Sequence, residues 1–576
     1  MRIESRLWAA RVSTALAVTA LAVTALAVTA LAATSVAATT GPEAANASAP
    51  ASTPASATEP APTNGPATAT TVTTAFDNPD YAKKVRAQLN TVDSRIHHGP
   101  FQASWSSLAA YRTPDWFSDA KFGIFLHWGV YSVPAFANEW YSRNMYVKGS
   151  PAYEYHRAVY GPQAKFGYKD FIPLFTAAKF DPDAWVDLFV KAGARYVVPV
   201  AEHCDGFAMY DSDFTSWDAA KMGPKRDVVG ELAKATRARG LRFGVSSHRA
   251  EHWWWYNEGT QYDSDVNDAR YAGLYGPAAP RTLPADSTAA EPNPDHLERW
   301  LPPSQAFLDD WLARGTELVD KYHPDFMYFD WWISQPAFAP YLQKMAAYYY
   351  DESAARKQTP VLTYKQEAFP PNAAVLDIER GKLDALRLQP WQSDTSVSIK
   401  SWGYVKDDEY RTAGSLLADL IDVVSKNGNL LLNVGPQSDG TIAPEIRDVL
   451  LRMGTWLATN GEAIYGTRPW VLYGEGPTNA PSGREEVNRA YTPADLRFTI
   501  KGGNLYALGL AWPHDGRVLV KTLYSGTPYL PHSITHVTLL GNSGAALHWE
   551  QTARGLEIQL PAAHDDLPYA LKIDTL

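Results

Sequence analysis

The chain of 576 residues holds one cysteine, Cys204, so no disulfide can form within it. Its stability must come from a buried core, which a chain of this length can supply. Positive charge is not in excess: 52 Lys and Arg face 62 Asp and Glu, for a formal net charge of −10. That balance argues against a nucleic-acid partner or an anionic membrane surface. No Gly-rich phosphate loop follows any strand candidate, which weakens a nucleotide-binding open sheet. No Gly-x-Ser-x-Gly elbow is present, which weakens a Ser–His–Asp hydrolase. No His-x-x-His or His-Glu-x-x-His spacing appears, so no metal and no cofactor are expected.

Long apolar runs are confined to the start. Arg2, Arg6 and Arg11 precede the Ala/Leu/Val/Thr run Ala15–Ala33, and Ser35-Val36-Ala37 supplies small residues for cleavage. Residues 1–38 therefore read as an export signal cut near Ala37, with a retained membrane anchor as the alternative. The mature chain is expected outside the cell, with no membrane insertion. Residues 39–76 are rich in Ala, Thr, Pro and Ser and cannot bury a core, so they read as a flexible linker.

Aromatic residues are plentiful, with 20 Trp and 31 Tyr, and flat rings suit the C–H faces of sugars as well as cores. Residues 77–470 alternate short apolar runs with amphipathic stretches. The runs are Phe122–Leu126, Tyr196–Ala201, Leu241–Val245, Phe326–Phe329, Val361–Tyr364, Val375–Ile378, Leu386–Gln389 and Leu430–Val434. They read as buried parallel strands. Helical patterns fall at 182–192, 227–239, 307–322, 337–351 and 416–426, several closed by Gly. This alternation predicts an α/β fold, a (β/α)8-like TIM barrel, with a doubly wound sheet as the alternative. Residues 471–576 hold only short alternating runs between turns and predict an all-β sandwich.

Barrel enzymes carry their reactive groups at the C-terminal ends of the strands. Here the runs end in His127-Trp128, Glu202-His203-Cys204-Asp205, Ser246-Ser247-His248, Asp330-Trp331-Trp332, Lys365-Gln366-Glu367, Glu379-Arg380 and, for the seventh, Trp391-Gln392-Ser393-Asp394. Any one such residue is ordinary where a strand meets water. Acids and histidines on sequential strands converge on one mouth, and that set suits glycoside hydrolysis, which needs two carboxyl groups across the scissile bond.

The segments Lys121–Tyr131 with Asn138–Tyr141, Ala201–Phe207 with Ser216-Trp217, Pro324–Trp331, Asn427–Pro436 and Asn460–Trp470 resemble the α-L-fucosidases of glycoside hydrolase family 29. The resemblance spans nearly all of the barrel, in order. It implies an exo-acting, retaining hydrolase of terminal α-L-fucosyl residues on oligosaccharides or glycoconjugates. Asp330 would be the nucleophile, and His127, Glu139, Trp140 and His203 would bind the sugar. Two departures stand out: Cys204 replaces a second histidine, and Ser246-Ser247-His248 stands where relatives often have tyrosines, so His248 is a candidate for the missing contact. Glu379 is the expected acid/base, with Glu367 and then Asp377 as alternatives. Trp331 or Phe125 is the candidate wall at C6. A non-catalytic fucose-binding protein and an α-L-galactosidase remain open alternatives, as does the oligomeric state.

Overall fold

A computed structural model describes residues 79–280, 301–478, 490–542, 547–562 and 566–575. The expected export signal and linker lie outside the described residues. Among those described, no helix is long and apolar enough to cross a membrane.

Eight parallel strands close into a barrel in sequence order: β1 Phe122–Leu126, β2 Tyr196–Glu202, β3 Arg242–Ser247, β4 Phe326–Phe329, β5 Val361–Tyr364, β6 Val375–Glu379, β7 Trp391–Ser396 and β8 Gly428–Val434. Closure is made by β1 on β8, with Phe122 opposite Leu430 and Leu126 opposite Val434. These strands are buried on both faces, which is why apolar runs marked them. Outer helices lie where the periodicity placed them. Pro182–Lys191, for example, starts on the Asp181 carboxylate, which accepts the Ala184 N–H at 3.0 Å, and stops before Gly193 at φ 92°. Two connections, residues 365–374 and 380–390, carry no helix.

The seventh strand corrects the reading of the sequence. Leu386–Gln389 is a loop with Leu388 84% exposed, and the strand is the polar stretch Trp391–Ser396. Its polar side chains are all buried because neighbouring strands satisfy them. Gln392 donates to Asp377 at 2.7 Å and accepts from the Tyr196 hydroxyl at 2.9 Å, and Asp394 accepts from the Tyr328 hydroxyl at 2.9 Å.

Beyond the barrel lie antiparallel sheets. β9 Arg468–Glu475, β10 Leu496–Lys501, β11 Asn504–Gly509, β13 Ile534–Leu539 and β16 Tyr569–Thr575 form one in the order β13-β16-β11-β10-β9. β12 Arg517–Val520, β14 His548–Thr552 and β15 Gly555–Gln559 form the other. Leu496, Phe498, Val520, Leu556 and Leu571 belong to their shared core. The sheets are fastened to the barrel by Arg497, whose Nε donates to buried Asp422 at 2.6 Å, and by Trp456, whose indole donates to the Pro568 carbonyl at 2.6 Å.

Candidate active site

The strand ends meet in a small pocket of about 90 Å3 at the C-terminal mouth of the barrel. Phe125 of β1, a candidate wall for C6, is not on the pocket wall; it packs against two residues that are, with its ring centroid 4.5 Å from His127 and 5.0 Å from Tyr328.

His127 ends β1 and is tied to Asn433 of β8. Its backbone N–H and Nδ1 both reach Asn433 Oδ1, at 3.0 and 2.8 Å. The Asn433 amide has only one sensible orientation, because its Nδ2 donates to the Trp402 carbonyl at 2.7 Å. His127 Nδ1 therefore carries the proton and Nε2 is left with a lone pair. Burial, with His248 and His203 close by, holds the imidazole neutral by pushing its pKa well below the usual range. His203, after β2, is buried too; its Nδ1 has no protein partner, and burial again pushes its pKa well down.

His248, after β3, has both nitrogens engaged. Nε2 meets the Ser246 hydroxyl at 2.6 Å, and Nδ1 meets Asp330 Oδ2 at 2.9 Å. Nδ1–H donates to the carboxylate, and Nε2 is paired with the Ser246 hydroxyl. Rather than presenting a free nitrogen to a ligand, His248 holds Asp330. The three imidazoles each offer a nitrogen within 4.8 Å of the others.

Lys365, at the end of β5, is the centre of the charge arrangement. Its ammonium lies 3.1 Å from Asp330 Oδ1, 2.8 Å from Glu379 Oε2 and 3.3 Å from Asp394 Oδ2. Two carboxyls bridged by one ammonium in this way lie within about 6 Å of each other, the range in which retaining glycosidases place their pair at about 5–5.5 Å. Burial alone would raise the Asp330 carboxyl, but Lys365 and His248 outweigh it and hold Asp330 well below the usual carboxylate range. Burial would also discharge Lys365; the surrounding acids outweigh it and keep the lysine charged.

Glu139 reaches the pocket from the loop after β1. It accepts the Trp402 backbone N–H at 2.9 Å and the Ser401 hydroxyl at 3.1 Å, and burial pushes its pKa up. Trp140, Trp331 and Trp402 supply aromatic wall.

The structure thus brings together His127, Glu139, Trp140, His203, His248, Asp330, Trp331 and Glu379. It does not bring Cys204 or Glu367 to the pocket wall. Cys204 is buried, and burial pushes its thiol well up, the opposite of an activated nucleophile. Glu367 is exposed and lines a neighbouring cleft, so it is corrected as an alternative acid. Asp377 points into the barrel below the site, where it accepts from Gln392, and is not on the pocket wall. Four pocket residues had no role legible in the sequence: Lys365, Asp394, Tyr328 and Trp402. A lysine among acidic strand ends was the available signal for the first. Trp402 comes from a loop and left no signal. Glu251, one turn past His248, is fully buried, and burial plus the charge on Asp330 push its carboxyl well up.

A family model described as α-L-fucosidase matches residues 88–462, and one described as α-L-fucosidase C-terminal domain matches residues 489–574. The tissue α-L-fucosidase of Rattus norvegicus is 33% identical over 473 residues, covering 81% of this chain and 89% of its own. The plasma α-L-fucosidase of Homo sapiens is 33% identical over 473 residues, covering 80% and 88%. The crystal structure of Thermotoga maritima α-fucosidase superposes with a TM-score of 0.65 at 31% identity, covering 82% of this chain and 100% of that one. Its complex with fucose gives 0.64 at 30% identity, with the same coverage. Matched across both its barrel and its C-terminal sheets, the chain belongs to the α-L-fucosidase family.

Proposed function

We propose that the chain is an exo-acting retaining α-L-fucosidase that releases terminal α-L-fucosyl residues from glycans, with Asp330 as nucleophile and Glu379 as acid/base. The observation that carries this reading is the single ammonium of Lys365 between the two carboxyls. In the first step an Asp330 oxygen bonds to the anomeric carbon. The bond to the leaving oxygen breaks, and Glu379 gives that oxygen its proton. Asp330, held ionised, is ready to attack. Forming the ester removes one negative charge from beside Lys365, so the ammonium then acts more strongly on Glu379 and favours its carboxylate form. In the second step Glu379 takes a proton from water, the water oxygen bonds to the anomeric carbon, and the ester bond to Asp330 breaks.

The sugar is held by groups on the opposite side of the mouth. His127 Nε2 accepts one hydroxyl proton, and Glu139 and His203 take others. Hydrolysis of an aryl α-L-fucoside tests the reading, with the aryl α-L-galactoside alongside; the extra C6 hydroxyl is expected to lower kcat/KM by about 10–100-fold. Binding of fucose without turnover would favour a non-catalytic receptor. We also propose that residues 1–38 direct export. N-terminal sequencing of secreted protein should then begin near Ala38, and an intact Met1 would refute it.

A further inference from the structure

Two buried acids beside Lys365 take no part in the bond-making steps. Asp377 of β6 and Asp394 of β7 are each 1% exposed. The strands run parallel, with Asp377 opposite Gln392 and Glu379 opposite Asp394. Asp377 and Asp394 are therefore diagonal neighbours on the face turned into the barrel. Around them stand Tyr196 from β2, Tyr328 from β4, Lys365 from β5 and Glu379 from β6.

The oxygens of the two acids divide in the same way. Asp377 Oδ2 accepts from the Gln392 amide at 2.7 Å. Asp394 Oδ2 accepts from the Tyr328 hydroxyl at 2.9 Å and lies 3.3 Å from the Lys365 ammonium. In both residues Oδ1 is buried and has no donor. The two carboxyls lie within hydrogen-bonding reach of each other. If both were ionised, two buried oxygens would be stranded and two like charges set together. One proton between them satisfies both oxygens at once. Burial and the charge on Asp394 push the Asp377 carboxyl well above the usual range, in the same sense.

We infer that Asp377 and Asp394 share one proton and form a positioning pair, a single negative charge over two carboxyls, that holds the Lys365 ammonium between Asp330 and Glu379 through both steps of hydrolysis. The inference rests on reading Asp330 and Glu379 as the reacting residues. Before the first step Lys365 faces ionised Asp330, protonated Glu379 and the pair. After it, Asp330 is an ester and Glu379 is ionised. The negative charge beside Lys365 has moved from one carboxyl to another, while the pair keeps its own. Asp394 makes the fixed contact, with Oδ2 turned to Lys365, and Asp377 acts through it by donating to Oδ1. Without that donor Asp394 would take up a proton itself, and the ammonium would lose its constant partner.

Asp377→Val removes the donor, with Asp377→Ala in its place if the valine variant does not fold. Once Asp394 is protonated the site holds one negative charge fewer, so Asp330 and Glu379 ionise at lower pH. The kcat/KM for an aryl α-L-fucoside should fall about tenfold or more, and both limbs of its pH profile should move down by at least about half a pH unit. Asp377→Asn restores the donor, because its oxygen can accept from Gln392 while its N–H donates to Asp394. It should return both limbs to their place and most of the activity. Infrared spectra of protein labelled at its aspartate carboxyls read the proton directly. At neutral pH, going from wild type to Asp377→Asn should remove one protonated-acid carbonyl band and no carboxylate band. Loss of a carboxylate band instead would show that the acids ionise separately and would overturn the shared proton. Limbs left in place by the valine or alanine variant, with kcat/KM within about twofold of wild type, would overturn the hold on Lys365, as would a loss that asparagine does not repair. Absence of turnover by the wild type would sink the fucosidase reading, and the infrared difference would still decide the shared proton.

Discussion

Replacing Lys365 with methionine keeps the length of the side chain and removes its charge. Three carboxyls, Asp330, Glu379 and Asp394, then lose a cation that stood 3.1, 2.8 and 3.3 Å away in a buried setting. Removing one partner of a buried ion pair costs about 3–5 kcal/mol when the other charge is stranded. Felt in full at the transition state, at about 1.4 kcal/mol per decade, that would be roughly 100- to 4000-fold. Part of the cost is relieved because the stranded carboxylates take up protons. A loss of about 100-fold in kcat/KM near neutral pH is therefore expected, with a change in pH dependence that a merely structural defect would not produce. The acid limb of kcat/KM reports ionisation of the nucleophile and the basic limb the loss of the acid's proton. Both carboxyls lose a neighbouring cation, so both limbs should move upward, each by at least about one pH unit. Stability should change with the same sign. Asp330 is held low in the folded protein, so its contribution is present above the unfolded pKa and is lost as pH falls through the folded one. In Lys365→Met the folded pKa of Asp330 rises toward the unfolded one, so this pH-dependent loss should be smaller and should be complete at a higher pH. The assay is the pH profile of aryl fucoside hydrolysis, with circular dichroism confirming the fold. A variant that loses less than tenfold and keeps both limbs in place would refute the role given to Lys365.

Asn433→Ala removes the group that fixes the His127 proton on Nδ1, so KM should rise about tenfold and the effect should not add to that of His127→Ala; full additivity in the double-mutant cycle would break the link. Glu379→Ala should lower kcat/KM by about 100- to 10,000-fold for substrates with poor leaving groups while largely sparing activated ones, and azide should restore turnover with retained configuration; equal losses for both substrate classes would remove Glu379 as the acid. Arg497→Met removes the closest arginine from Asp422 at the joint between barrel and sheets, leaving Lys426, at 2.7 Å, and Lys382 to face it, and should lower the stability by about 3 kcal/mol in denaturant titration; an unchanged midpoint would show that the two lysines suffice.

The parts of the fold legible in the sequence were those whose physics is local. Apolar strands such as Phe122–Leu126 and helix boundaries such as Asp181-Pro182 carry their signal in adjacent residues. Trp391–Ser396 does not, because its polar side chains are buried only by virtue of Gln392, Asp394 and Ser396 meeting partners on other strands. The apolar loop Leu386–Gln389 drew the strand reading away from it. In the site, acids and histidines at strand ends were visible because the barrel brings such ends together by geometry. Which way each side chain faces was not. Glu367 lies two residues after Lys365, yet the chain turns at Gln366, φ 57°, and carries Glu367 out to the cleft. His248 could be read as a ligand for sugar, but Ser246 and Asp330 take both its nitrogens, and that pairing needs β3 and β4 side by side. Trp402 reaches the pocket from a loop between β7 and β8, with its backbone fixed by Glu139 and Asn433, contacts far away in sequence.

The mechanism depends most on a covalent intermediate at Asp330, and that species can be weighed directly. Incubation with 2-deoxy-2-fluoro-α-L-fucosyl fluoride slows breakdown of the glycosyl-enzyme, and peptide mass spectrometry then locates the sugar. The expected result is one fucosyl ester, on the peptide containing Asp330, with none formed in Asp330→Gly. A label on any other residue would contradict the account, as would inverted product with no label at all.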